Sequence, residues 1–305
     1  MFKFRLPGWM LFLICAGFSI PSFAQKEIDK EALGRLTQLE DSLVVLADSM
    51  YNTPIPDFRI DYCVRFTKTL RQALDIPNSF YYPFTKLEQK VHILYPEDKS
   101  FRIINWMVAP SDMVRRYYGA IQMQGSALKL FPLRDFSDKL ERGAETATLN
   151  ADQWYGCEYY KIMTQTIQGE KMYLLFGFNS NGMSSNKKIL DIMSLTESGP
   201  VFGAPVFLLP DARGQRLMAQ NRVILEYKKA AQVSLNYDAA KGMVMFNRLM
   251  SEINDPNRKN TYIPTGQTDG LRLENGQYIY VRDAIPVLKL QDGQAPIDGV
   301  MSGGK

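Results

Sequence analysis

The chain has 305 residues, 46% of them hydrophobic and 22% charged, enough for one large domain or two modest ones. Its formal net charge is +4, with basic and acidic residues interleaved and no basic cluster, which argues against nucleic acid as a partner. A single histidine, His92, excludes multi-histidine metal sites, H-E-x-x-H zinc chemistry and any triad that needs another histidine.

At the N-terminus, Lys3 and Arg5 precede an uncharged run from Trp9 to Ile20, which Pro21 breaks. Ser22-Phe23-Ala24 then places small residues at −3 and −1 of a cut before Gln25. The expectation is a cleavable secretory signal over residues 1–24 and a periplasmic or secreted product. The run is too short for a membrane span, which takes roughly 20 apolar residues. No later stretch is long enough either, so no transmembrane segment is expected in the mature chain.

A helical segment follows over residues 25–84. Leu36, Leu39, Leu43, Leu46 and Met50 recur at spacings of 3 and 4, which lines them along one face of a helix over residues 27–50. Pro54 and Pro56 end it. Asp57 is placed to cap a second helix, Phe58 to Leu74, whose buried stripe would be Tyr62, Cys63, Phe66, Leu70 and Leu74.

From residue 85 the period changes to two, and residues 85–290 read as an antiparallel β domain. Strands are expected at 91–95, 101–108, 117–122, 127–133, 157–167, 171–178, 188–195, 200–208, 223–227, 231–237 and 243–246, with residues 135–153 irregular. Gln168-Gly169-Glu170 marks one hairpin. Asn275-Gly276 marks another, a two-residue type I′ turn that sets Leu273 opposite Tyr278 and Leu271 opposite Tyr280. Turns recur too closely for crossover helices. The fold class is therefore α+β and predominantly antiparallel, N-terminal helices followed by a β-meander closing as a barrel or sandwich. Residues 291–305, rich in glycine, read as a disordered tail.

Motifs with chemistry are scarce. The chain has no G-x-S-x-G, Walker loop, G-x-G-x-x-G or C-x-x-C, so neither a catalytic residue nor a cofactor or metal ligand can be assigned. Ser184-Ser185-Asn186-Lys187 satisfies S-x-x-K, but it sits in a polar loop without the helix or K-T-G strand that such sites use. Asn179-Ser180-Asn181-Gly182 lacks the aspartates of a calcium loop and reads as a turn. Cys63 and Cys157 remain after signal removal. An oxidising compartment permits a disulfide between them, worth about 4–5 kcal/mol on the chain-entropy model, and the alternative is two separately buried thiols. Aromatic pairs such as Tyr81-Tyr82, Tyr117-Tyr118 and Tyr159-Tyr160 would put one ring in the core and its neighbour nearer solvent.

The run Pro96-Glu97-Asp98-Lys99-Ser100-Phe101-Arg102-Ile103 with Trp106, then Leu225-Glu226-Tyr227, Tyr262-Ile263-Pro264 and Asp269-Gly270-Leu271, resembles a family of exported proteins of Bacteroidetes-type bacteria. These are turn and strand residues, so the resemblance implies a fold and an envelope location, with no activity or functional residue attached. Together these readings point to an exported, soluble, non-catalytic binding protein whose partner is an envelope protein or a glycan. The alternative is an envelope glycan hydrolase using paired carboxylates.

Overall fold

The computed structural model describes residues 28–140, 142–211 and 214–286; the expected signal (1–24) and the expected tail (291–305) lie outside the described residues. Helix α1 (Lys30–Asn52) starts where the Asp29 carboxylate accepts a hydrogen bond from the Ala32 N–H at 2.9 Å. Leu36, Leu43, Leu46 and Met50 of the expected stripe are buried, and Leu39 is half-buried. Helix α2 (Pro56–Leu74) begins earlier than expected. Pro56 takes the first helical turn, where a missing N–H costs nothing, and Ile55 stands at the cap without a side-chain bond. Asp57 therefore lies inside the first turn rather than capping it.

Two segments of the meander form separate sheets. β1 (His92–Leu94), β2 (Phe101–Val108), β3 (Arg116–Met123) and β4 (Leu130–Arg134) pair in that order. The next five are β5 (Leu149–Asn150), β6 (Glu158–Ile167), β7 (Glu170–Asn179), β8 (Ser185–Thr196) and β9 (Gly199–Phe202), ordered β5-β9-β8-β7-β6. β10 (Phe207–Pro210) and β11 (Leu217–Gln220) leave that sheet, and β12 (Arg222–Lys228) returns to pair with β8 beside β9. The strand expected over 200–208 is thus two strands, because Pro205 has no N–H to donate to a ladder between them. β13 (Leu235–Asp238), β14 (Met243–Ser251), β15 (Tyr262–Glu274) and β16 (Gln277–Val281) complete a third sheet, ordered β11-β10-β16-β15-β14-β13. Among the described strands only β10 and β16 pair in parallel. The chain is α+β with two helices and mostly antiparallel sheets, and no barrel closes among the described residues.

Strand alternation stacks these layers. On β2, Ile104, Trp106 and Val108 join Leu43, Cys63, Phe66 and Leu70 of the helices in one core. The intervening Phe101 and Ile103 face Tyr173, Leu175, Ile189 and Met193 of the second sheet in another. The opposite face of that sheet, Leu174, Phe176, Leu190 and Ile192, packs on Val244, Phe246, Leu271 and Tyr278 of the third. The second sheet is therefore buried on both faces, and β7 reads as a continuous apolar run rather than an alternating one.

Two charged groups inside the helix layer, Arg102 and Glu40, have no ion pair among the described residues. Arg102, fully buried, donates to Gln122 Oε1 (2.8 Å), the Tyr82 carbonyl (2.8 Å), the Tyr95 hydroxyl (2.9 Å) and the Ser79 carbonyl (2.9 Å), with its guanidinium 4.9 Å from the Phe84 ring centre. The Glu40 carboxylate accepts from the Tyr82 hydroxyl and from the N–H groups of Lys86 and Leu87. Deeper in the protein, Arg222 and Asp191 form a fully buried pair at 2.6 Å that ties β12 to β8.

Candidate functional site

The site lies where the core between the first two sheets runs out. Residues of β8 that face this core are Met193, Asp191 (paired with buried Arg222) and Ile189; the next on the same face are Lys187 and Ser185. β12 changes likewise from Ile224 to Glu226, and β7 from Leu175 to Asn179. Register sets Asn179 beside Lys187 and Lys187 beside Glu226, so amide, ammonium and carboxylate form one row across three strands. Directly opposed side chains on adjacent strands start from Cβ atoms roughly 5 Å apart.

This row forms part of a cleft of about 440 Å³, within the range of small-ligand sites. Its walls are the β2–β3 connection at Met113–Arg115, the start of β3 at Arg116 and Tyr117, Ser137–Asp138, and the β7–β8 loop at Ser180–Gly182. The two loops touch. The Ser180 N–H donates to the Tyr117 hydroxyl at 2.7 Å, and a Cβ on Gly182 would lie only 2.7 Å from the Met113 carbonyl oxygen. Glycine at 182, with φ +65°, is what lets the backbones approach. Met113 on the rim is 67% exposed, as is Met183 beyond it, at 59%.

The charges of the cleft are unevenly matched. Arg116 pairs with Asp138. Glu226 accepts from Ser185 Oγ (2.6 Å) and Asn181 Nδ2 (3.3 Å). Among the described residues Lys187 reaches only the Tyr155 hydroxyl, at 3.4 Å. The Arg115 guanidinium is held by the carbonyls of Ser111, Asp112 and Val114 and, among the described residues, by no carboxylate. Behind the Ser180 rim, Lys229 donates to Ser180 Oγ (2.6 Å) and Asn186 Oδ1 (2.8 Å). Burial lowers the Lys229 pKa, and the nearby Arg115 charge lowers it further. Beneath the cleft, Glu158 makes no hydrogen bond through its side chain among the described residues. Burial pushes its pKa up to about 7, and its charge adds to burial in raising the pKa values of Tyr117 and Tyr51.

The structure does not bring Cys63 and Cys157 together. Both are buried free thiols, Cys63 between helices and first sheet and Cys157 between first and second sheets. His92 lies partly buried on β1, its pKa lowered by burial. Ser184 ends the turn between β7 and β8 and Lys187 lies on β8, so the helical turn on which S-x-x-K would bring serine and lysine together is not formed, and the two share no hydrogen bond among the described residues. The Asn179–Gly182 turn forms one lip of the cleft, and no cluster of three or more potential metal ligands occurs among the described residues. Tyr117 reaches the cleft, whereas Trp106, Trp154, Tyr155 and Tyr159 are core residues.

Sequence reasoning missed Arg115, Asp138, Lys229 and the placement of Glu226. The only local signal was a pair of adjacent arginines opening a strand, and of an acid within the otherwise apolar Val223–Tyr227. The chain matches no family model, no curated protein and no solved structure.

Proposed function

We propose that the chain is an exported binding protein of a bacterial envelope and that its cleft takes a saccharide. Export rests on the basic start, the apolar run 9–20 and the Ser22-Phe23-Ala24 site, and the envelope location also on the resemblance to exported proteins. The observation that carries the binding reading is the Asn179–Lys187–Glu226 row at the open end of two packed sheets. It offers donors and acceptors to a polyhydroxylated ligand at rigid, strand-borne positions. Peptide capture by strand addition is disfavoured there, because Lys187 is already paired on both sides.

Asp138 and Glu226 line the same cleft, which is the observation behind the hydrolase alternative. Both are engaged, however, Asp138 by Arg116 and Glu226 by Ser185 and Asn181, which suits holding a ligand better than exchanging protons with one. Residues 25–305 should retain saccharides on a glycan array. Lys187→Met, which keeps the length of the side chain and removes its charge, should weaken retention about tenfold, the loss of one charged contact. Equal retention by the variant would count against the cleft, and release of reducing ends from a bound glycan would favour the hydrolase.

A further inference from the structure

Building on the saccharide-binding reading above, we infer that the ligand is an acidic saccharide, its anionic group received between Arg115 and Lys229 at the loop side of the cleft. Of the four cations in or behind this cleft, only Arg116 has an ion pair; Arg115, Lys187 and Lys229 have none within 4 Å among the described residues. Carboxylates are not lacking elsewhere, since lysines 86, 90, 171 and 228 all pair with one. The cleft instead leaves three of its four cations without an ion pair among the described residues, although Glu226 lines it too.

The geometry holds these cations in place. Three backbone carbonyls anchor the Arg115 guanidinium through Nη1 alone, leaving Nε and Nη2 to donate elsewhere. Planar N–H groups in that arrangement suit a carboxylate or sulfate. Lys229 uses neutral acceptors, Ser180 Oγ and Asn186 Oδ1, and its ammonium can make one more bond. Burial and then the nearby Arg115 charge lower the Lys229 pKa, as expected where two like charges share a partly desolvated corner that an anion would stabilise. Glu226 and Asn181, which bond each other at 3.3 Å in the same cleft, are left to meet hydroxyl groups, and exposed Met113 offers an apolar rim to the face of a sugar ring.

The test is calorimetric titration of residues 25–305 with short uronic-acid oligosaccharides, with their carboxyl-reduced neutral counterparts, and with sulfated disaccharides. Binding of a uronate or of a sulfated sugar should exceed that of its neutral counterpart at least tenfold, and should weaken on raising the salt from 50 to 300 mM. The preferred anion tells a carboxylated source from a sulfated one. Arg115→Gln and Lys229→Met should each cost five- to twentyfold for the acidic ligand and less than twofold for a neutral one. Both positions are outside the core, and circular dichroism of each variant verifies the fold. Equal binding of acidic and neutral sugars would overturn this inference and leave the saccharide reading standing. Binding of none of these sugars would remove both.

Discussion

Glu158 sits at the first position of β6, partly buried, beneath Tyr117 and near Tyr51, with no donor to hold its charged form among the described residues. Burial alone raises its pKa from an ordinary 4.5 to about 7. A carboxyl whose folded pKa lies above its unfolded value favours the folded state when protonated. Relative to a neutral residue it therefore costs nothing below the unfolded pKa, and the cost grows as pH rises from about 4.5 to about 7. Glu158→Gln should accordingly stabilise the protein at pH 8 by about 1–2 kcal/mol, a figure reduced for the solvent contact the side chain keeps. At pH 4 the two proteins should unfold alike. Urea denaturation at both pH values checks this, and a variant less stable than the parent at pH 8 would show that the carboxylate has a partner there.

At the scale of elements, close packing is sharpest where β7 crosses the residue leading into β6. A Cβ added at Gly177 would come within 2.6 Å of the buried Cys157 sulfur and 3.3 Å of the Tyr159 ring. Gly177→Ala should therefore cost about 1–3 kcal/mol by overpacking. Cys157→Ala in the same chain removes the obstructing sulfur, so the double variant should be more stable than the two single losses added together. Strict additivity in chemical denaturation would mean that the strand relieves the clash by shifting instead.

Elements of this kind were legible in the sequence where local chemistry and burial agree. At the last hairpin, Leu271 pairs with Tyr280 and Leu273 with Tyr278 across an Asn275-Gly276 turn with φ of 50° and 76°, as the pattern implied. The Gln168-Gly169 turn formed likewise between β6 and β7. What escaped was whatever depends on distant partners. β15 begins at Tyr262, well before its apolar end, because β14 pairs along its length. Leu217–Gln220 carries no buried face to signal a strand, and it is exposed along most of its length beside β10. The cleft was illegible for the same reason. Arg115, Lys187, Glu226 and Asp138 come from four separate segments, and nothing near any of them in sequence names the others.

The whole molecule is a stack in which Cys63 and Cys157 report on different layers. Cys63, 2% exposed, lies between the helices and the first sheet, while Cys157, fully buried, lies between the first and second sheets. Burial raises both thiol pKa values, so neither should react in the native state except through opening of its layer. Among the described layers the helix layer is outermost and packs through one face, whereas the second sheet is clamped on both faces and crossed by the buried Arg222–Asp191 pair. Outer layers open at lower free energy than central ones. Pulsed alkylation in urea below the unfolding midpoint, read by peptide mass spectrometry, should label Cys63 well before Cys157, with both thiols recovered after full denaturation. Simultaneous labelling would mean that the four layers open as one cooperative unit. Two blocked thiols in the denatured chain would mean that the protein pairs them, and the arrangement of helices over the first sheet would then have to differ from the one described.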